Sequence, residues 1–96
     1  MENQHRKIAG YRELSQEEID LMNRIKTKGA ELLALHSELV SRLNDYQTFL
    51  TVSVGDDDEP RRFQTAEPFR WAAIGKTDIQ TGIMALVRAV AQPAGV

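Results

Sequence analysis

The sequence predicts an all-α fold: an N-terminal arm and an antiparallel two-helix hairpin, with hairpins assembled as a compact homo-oligomer. Three observations predict it. Ser15 and Glu18 form a helix-starting signal. Apolar residues then recur with helical spacing from Met22 to Leu50 and again from Phe69 to Val90. The stretch between these runs holds Gly55, four consecutive acids and Pro60. Residues 1–96 are read as a single domain, because a core much smaller than this buries too little surface to fold separately.

Residues 1–14 read as a basic arm, and the first helix is predicted over 15–49. Ser15 with Glu18 three residues on is a capping box, in which hydroxyl and carboxylate satisfy orphan backbone donors reciprocally. Leu14 and Ile19 flank it with the spacing of a hydrophobic staple, and Glu17, Glu18 and Asp20 put negative charge where the helix dipole favours it. Read as heptads, positions 22, 29, 36, 43 and 50 alternate with 25, 32, 39 and 46 along one seam. Gly29 and His36 interrupt its apolar character. A glycine inside a helix costs about 1 kcal/mol against alanine, so Gly29 points to a close approach by another segment or a ligand, or to a bend. Residues 50–64 read as a long acidic connector, since Gly55, Asp56-Asp57-Asp58-Glu59 and Pro60 cut off any regular element. The second helix is predicted over 65–92, capped by Thr65 or Glu67, with Pro68 tolerated in the first turn and Pro93 as the stop. Ile19, Leu33, Leu35 and Val40 fall off the main seam, so a lone hairpin leaves apolar surface uncovered. The expected solution is an oligomer in which hairpins bury one another.

Several function classes are excluded or disfavoured. Without cysteine there is no disulfide scaffold, no Cys-based zinc site and no thiol nucleophile. The longest apolar stretch, Ile83 to Ala91, is about half a membrane span and contains Arg88, so no membrane partner is expected. Met1 to Arg12 is polar, without the apolar run of a signal peptide, which points to an intracellular protein. Gly75-Lys76-Thr77 lacks the glycine of a P-loop, which would stand where Arg70 is. The acidic run lacks the alternating ligand spacing of a calcium loop. His5 and His36 have no acidic ligand cluster beside them, no Ser/His/Asp arrangement can be drawn, and His36 reads as a packed or interfacial histidine. The expectation is no enzyme, no metal and no cofactor.

The net charge of −2 gives no overall basic footprint, which argues against a DNA partner. Its distribution says more. Acids dominate residues 31–69, eight against three bases, whereas residues 1–30 carry Arg6, Lys7, Arg12, Arg24, Lys26 and Lys28 against five acids. Residues 70–96 carry Arg70, Lys76 and Arg88 against Asp78 alone. Arg6, Lys7 and Arg12 surround Tyr11 before the first helix, with Lys26 about three turns into it. Tyrosine offers a face for stacking a nucleobase and the cations offer charge for phosphate, so this is an anion-binding pattern.

The block Met1-Glu2-Asn3-Gln4-His5-Arg6-Lys7-Ile8, then Gly10-Tyr11-Arg12-Glu13-Leu14, and later Gly75-Lys76-Thr77-Asp78-Ile79-Gln80-Thr81-Gly82-Ile83-Met84-Ala85-Leu86-Val87-Arg88-Ala89-Val90 resemble the phage anti-CBASS cyclic-oligonucleotide sponges. The resemblance covers nearly the whole chain outside residues 47–64. It implies a small helical protein, assembled as a homohexamer, acting in the cytoplasm of an infected bacterial host. Such a protein sequesters, without cleaving, the cyclic di- and trinucleotides that activate CBASS effectors, among them cyclic GMP–AMP (cGAMP). For the cyclic dinucleotide pocket the resemblance implies Tyr11 for base stacking and Lys26 for phosphate, with Arg12 and Lys7 beside them. For a separate cyclic trinucleotide pocket it implies the block holding Lys76, Thr77, Gln80 and Thr81, in which Lys76 and Gln80 share one helix face and Thr77 and Thr81 another. The alternative reading is an oligomeric helical protein-interaction module that masks a host protein through its exposed seams.

Overall fold

The computed structural model describes residues 12–53, 55 and 57–94. It is all-helical: α1 spans Gln16–Val52, α2 spans Asp58–Ala66 and α3 spans Pro68–Ala91. The long helices α1 and α3 are the two antiparallel arms of a hairpin, and among the described residues no helix is long and apolar enough to cross a membrane. The chain divides into two units, one from residues up to Ala30 together with those from Gln80 on, the other from Glu31 to Ile79.

In the first unit the capping box forms as the sequence predicts. The Ser15 N–H donates to Glu18 Oε1 at 2.9 Å, and the Glu18 N–H donates to Ser15 Oγ at 3.1 Å. Leu14 and Ile19, the staple residues, are both half-buried. From there Met22 and Ile25 turn inward, and Gly29 is buried. Opposite, the half-buried residues of α3 are Ile83, Val87, Val90 and Ala91. The expected close approach at Gly29 is real: a Cβ built there would overlap Ile83 Cδ1 and lie 2.7 Å from Ile83 Cγ1. Only a residue without a side chain lets α3 come this near. At the other end, Gln92 adopts a left-handed φ of 50° and its N–H donates to Arg88 O at 2.7 Å, closing α3 just before Pro93.

The second unit carries the apolar core, which is small. Among the described residues, Phe63 and Ala72 are its buried apolar residues, at 7% and 8% exposure. Tyr46, Phe49, Phe63 and Phe69 form an aromatic chain, Phe63 meeting Tyr46 edge-on at 5.3 Å and Phe69 edge-on at 6.1 Å. His36 is half-buried with Nε2 2.9 Å from the Ala72 carbonyl oxygen, which can only accept, so Nε2 carries the proton. Of the packed and interfacial roles open to this histidine, the bond to Ala72 is the packed one.

Two details of the sequence reading are corrected here. The inward row on α1 runs 22, 25, 29, 33, 36, 40, 43, so Leu33 and Val40 face in while Leu32 and Leu39 are each 48% exposed. A straight helix of 3.6 residues per turn drifts by about 20° per heptad, which moves the second row over by one residue. The connector over 50–64 is also largely helical. α1 continues to Val52, with the Ser53 N–H donating to Phe49 O at 3.0 Å, and α2 begins at Asp58. Pro60 breaks nothing, because it sits in the first turn, where a missing N–H has no intrahelical partner to lose. Of the acids assigned to the connector, Asp58 and Glu59 lie in the first turn of α2, where they meet its dipole favourably. Thr65 lies within α2, and Glu67, at φ 53°, is the left-handed residue that ends α2 before Pro68 opens α3.

Candidate functional site

The candidate cyclic-dinucleotide residues Lys7, Arg12, Tyr11 and Lys26 belong to the N-terminal part of the chain, and Lys7 and Tyr11 lie outside the described residues. Lys26 is on α1, exposed to solvent, eight residues beyond Glu18 and therefore about 12 Å further along the helix. An exposed ammonium on a rigid helix is suited to a phosphate and incurs no burial cost.

Arg12 is engaged within the first unit, with its side chain 38% exposed. Nε donates to the Ala91 carbonyl at 3.2 Å, and Nη2 donates to the Val90 carbonyl at 2.8 Å and to Glu18 Oε2 at 2.6 Å. These are carbonyls of the last turn of α3, which have no partner inside the helix and carry its negative dipole end. Glu18 is thus shared between Arg12 and the capping box. The Arg12 guanidinium first, and the Ser15 N–H second, hold its carboxyl below the usual range.

Of the candidate trinucleotide residues, Lys76 and Thr77 belong to the second unit, Gln80 and Thr81 to the first, and all four are exposed on α3. Gly75-Lys76-Thr77 lies inside a continuous helix, so its backbone N–H groups are engaged and cannot cradle phosphate as a loop would.

Two features of the second unit go beyond the sequence reading, which gives only that Leu35 lies off the main seam and that apolar surface is left uncovered. One is an apolar hollow of about 540 Å³, lined among others by Leu32, Leu35, Leu39, Trp71 and Gly75. Leu35 and Trp71 are each 59% exposed there, and the Arg70 guanidinium lies 5.0 Å from the Trp71 ring centroid. The signal was the run Leu32-Leu33-Ala34-Leu35, which is too apolar for one inward row. The other is a polar clasp. The Tyr46 hydroxyl donates to Glu59, which also accepts from Arg62 Nε at 2.7 Å and Nη2 at 2.6 Å. Arg62 and then Tyr46 push the Glu59 carboxyl down to about 2, and the bond to Glu59 pushes the Tyr46 phenol up.

An all-helical hairpin with a small core, an uncovered apolar face and exposed cations on both long helices defines the class: a small helical-hairpin protein. The chain belongs to the Acb2/Tad1 hairpin-domain family, whose model matches residues 4–91. It is also similar to Anti-CBASS protein 2 of Pseudomonas phage JBD67, with 57% identity over 107 aligned positions that cover 99% of each chain.

Proposed function

We propose that this chain is a phage anti-defence protein acting in the cytoplasm of the infected bacterial host. It binds and sequesters cyclic di- and trinucleotide second messengers without cleaving them, so that CBASS effectors stay inactive. The observation that carries this reading is the near full-length similarity to Anti-CBASS protein 2. The site supports it: Lys26 is exposed to receive phosphate, and Lys76, Thr77, Gln80 and Thr81 are exposed on α3. Tyr11 supplies the stacking face and Lys7 additional charge. Sequestration needs affinity and abundance but no turnover, so it asks for no general acid or base.

The working form is a homo-oligomer, with six subunits as the expected number. Its support is the exposed apolar set Leu32, Leu35, Leu39 and Trp71 around the hollow, set against a buried core that is little more than Phe63 and Ala72. Incubation with cyclic GMP–AMP, followed by denaturation and chromatography, tests the reading. Intact ligand recovered in proportion to protein is expected. Degraded ligand would identify a hydrolase instead. Tyr11→Ala and Lys26→Ala are expected to weaken binding and leave assembly intact.

The same apolar face favours a second reading, a module that masks a host protein. A chain that ignores cyclic GMP–AMP and a cyclic trinucleotide, yet binds a host protein stoichiometrically through Leu35 and Trp71, would establish it.

A further inference from the structure

Resting on the reading that the N-terminal arm contacts a cyclic dinucleotide, we infer that Arg12 is a positioning residue. It anchors the arm through Glu18 and the end of α3, and it is not itself a phosphate contact. The geometry carries this. One guanidinium bridges three acceptors, Ala91 O, Val90 O and the Glu18 carboxylate, on two helices at opposite ends of the sequence. Its planar fork suits such a bridge, whereas a lysine could hold only part of it. Its charge is already met by a carboxylate at 2.6 Å and by the negative end of the α3 dipole, so little of it remains for an incoming anion. The lowered pKa of the Glu18 carboxyl agrees with a pair that stays ionised at neutral pH.

The consequence falls on Tyr11. Tyr11 directly precedes the clamped residue in the sequence. Ligand capture then need not supply the ordering of the chain at Arg12, and preorganisation of this kind is affinity gained without a new contact. The clamp also explains why an acid stands at position 18 beside a site proposed to take an anion. Glu18 serves the arginine and the capping box together.

The sign of one substitution separates positioning from direct contact. Glu18→Gln keeps the capping box, since glutamine serves at that position, and removes only the charge that holds Arg12. If Arg12 met phosphate directly, deleting the neighbouring negative charge would tighten binding. If Arg12 anchors the arm, the same change loosens the arm and weakens binding. The experiment titrates wild type, Arg12→Ala, Glu18→Gln and the double variant with cyclic GMP–AMP at low and physiological salt, with native mass spectrometry for assembly. The expected result is assembly unchanged, Kd raised about tenfold in Arg12→Ala, the order of one residue's backbone ordering, and raised by a smaller factor in Glu18→Gln, which leaves the two α3 carbonyls on Arg12. The double variant is expected to be no worse than Arg12→Ala, and the salt dependence to match wild type. Glu18→Gln binding as tightly as wild type or more tightly would overturn the inference, whatever Arg12→Ala does. Should Arg12→Ala fail to assemble, Glu18→Gln still decides. Wild type failing to bind would overturn the functional reading itself, a result distinct from either outcome in the variants.

Discussion

Replacing Gly29 by alanine adds one methyl group where α1 has no room for it, and two effects of opposite sign compete. Alanine is favoured over glycine inside a helix by about 1 kcal/mol. Against this, the new Cβ would overlap Ile83 Cδ1 and stand 2.7 Å from Cγ1, and overpacking of this kind costs about 1–3 kcal/mol. The position of Cγ1 decides between them. Cδ1 is a free end that swings away, but Cγ1 moves only if χ1 of Ile83 changes, and a β-branched residue in a helix is held to one χ1 rotamer. The steric term therefore wins, and Gly29→Ala is expected to destabilise by up to about 2 kcal/mol. Urea unfolding of Gly29→Ala, Ile83→Ala and the double variant isolates it, run at matched protein concentrations because association shifts apparent stability. With Ile83→Ala the methyl meets none of those side-chain atoms, so Gly29→Ala should there stabilise by about 1 kcal/mol, a reversal of sign. Ile83→Val retains both γ carbons and should give only partial relief. Equal stabilisation by Gly29→Ala in both backgrounds would refute the reasoning, because it would mean that the close approach carries no energy.

Glu59 is held ionised down to about pH 2, first by Arg62 and then by Tyr46, so its contribution is complete above the ordinary value of 4.5 and is lost as pH falls towards 2. Chemical denaturation at about pH 5 and about pH 3 should show wild type losing more stability than Glu59→Gln between the two. Ser15→Ala removes the hydroxyl that accepts the Glu18 N–H and should cost about 1 kcal/mol in thermal or urea unfolding, with most of it restored by Ser15→Asp. Leu35→Glu places a charge on the exposed apolar face and is expected to yield smaller species by native mass spectrometry; assembly unchanged would mean this face is not buried between subunits. Trp71, the one tryptophan and 59% exposed, should shift its emission to the red in that variant.

What could be read from sequence follows the distance over which each feature is encoded. The capping box, Pro68 in a first turn and the stop near Pro93 depend on residues within a turn of each other, and each has the structure its chemistry requires. Gly29 was legible as an anomaly, but its partner Ile83 was not, because nothing local names the residue across a hairpin. The choice between Leu32 and Leu33, and between Leu39 and Val40, turns on the small mismatch between a heptad and 3.6 residues per turn. Composition cannot resolve that difference when both neighbours are aliphatic. α2 was hidden because acids followed by proline suit a solvated loop and a helix N-terminus equally.

The same limit bears on the candidate site. Counting charge by segment identifies the N-terminal stretch as cationic, yet a count treats every cation as equally available. Lys26 fits that treatment, since it is exposed on α1. Arg12 does not, because its acceptors include carbonyls 78 and 79 residues away that no inspection of the arm would reveal. Two cations of one candidate cluster thus stand in different surroundings. A lysine whose ammonium stays hydrated can receive an anion at little cost, whereas an arginine fixed to a carboxylate and a helix end must break those bonds first. Under the proposed positioning role, an anion would find Lys26 open to it and Arg12 already engaged by Glu18 and the end of α3.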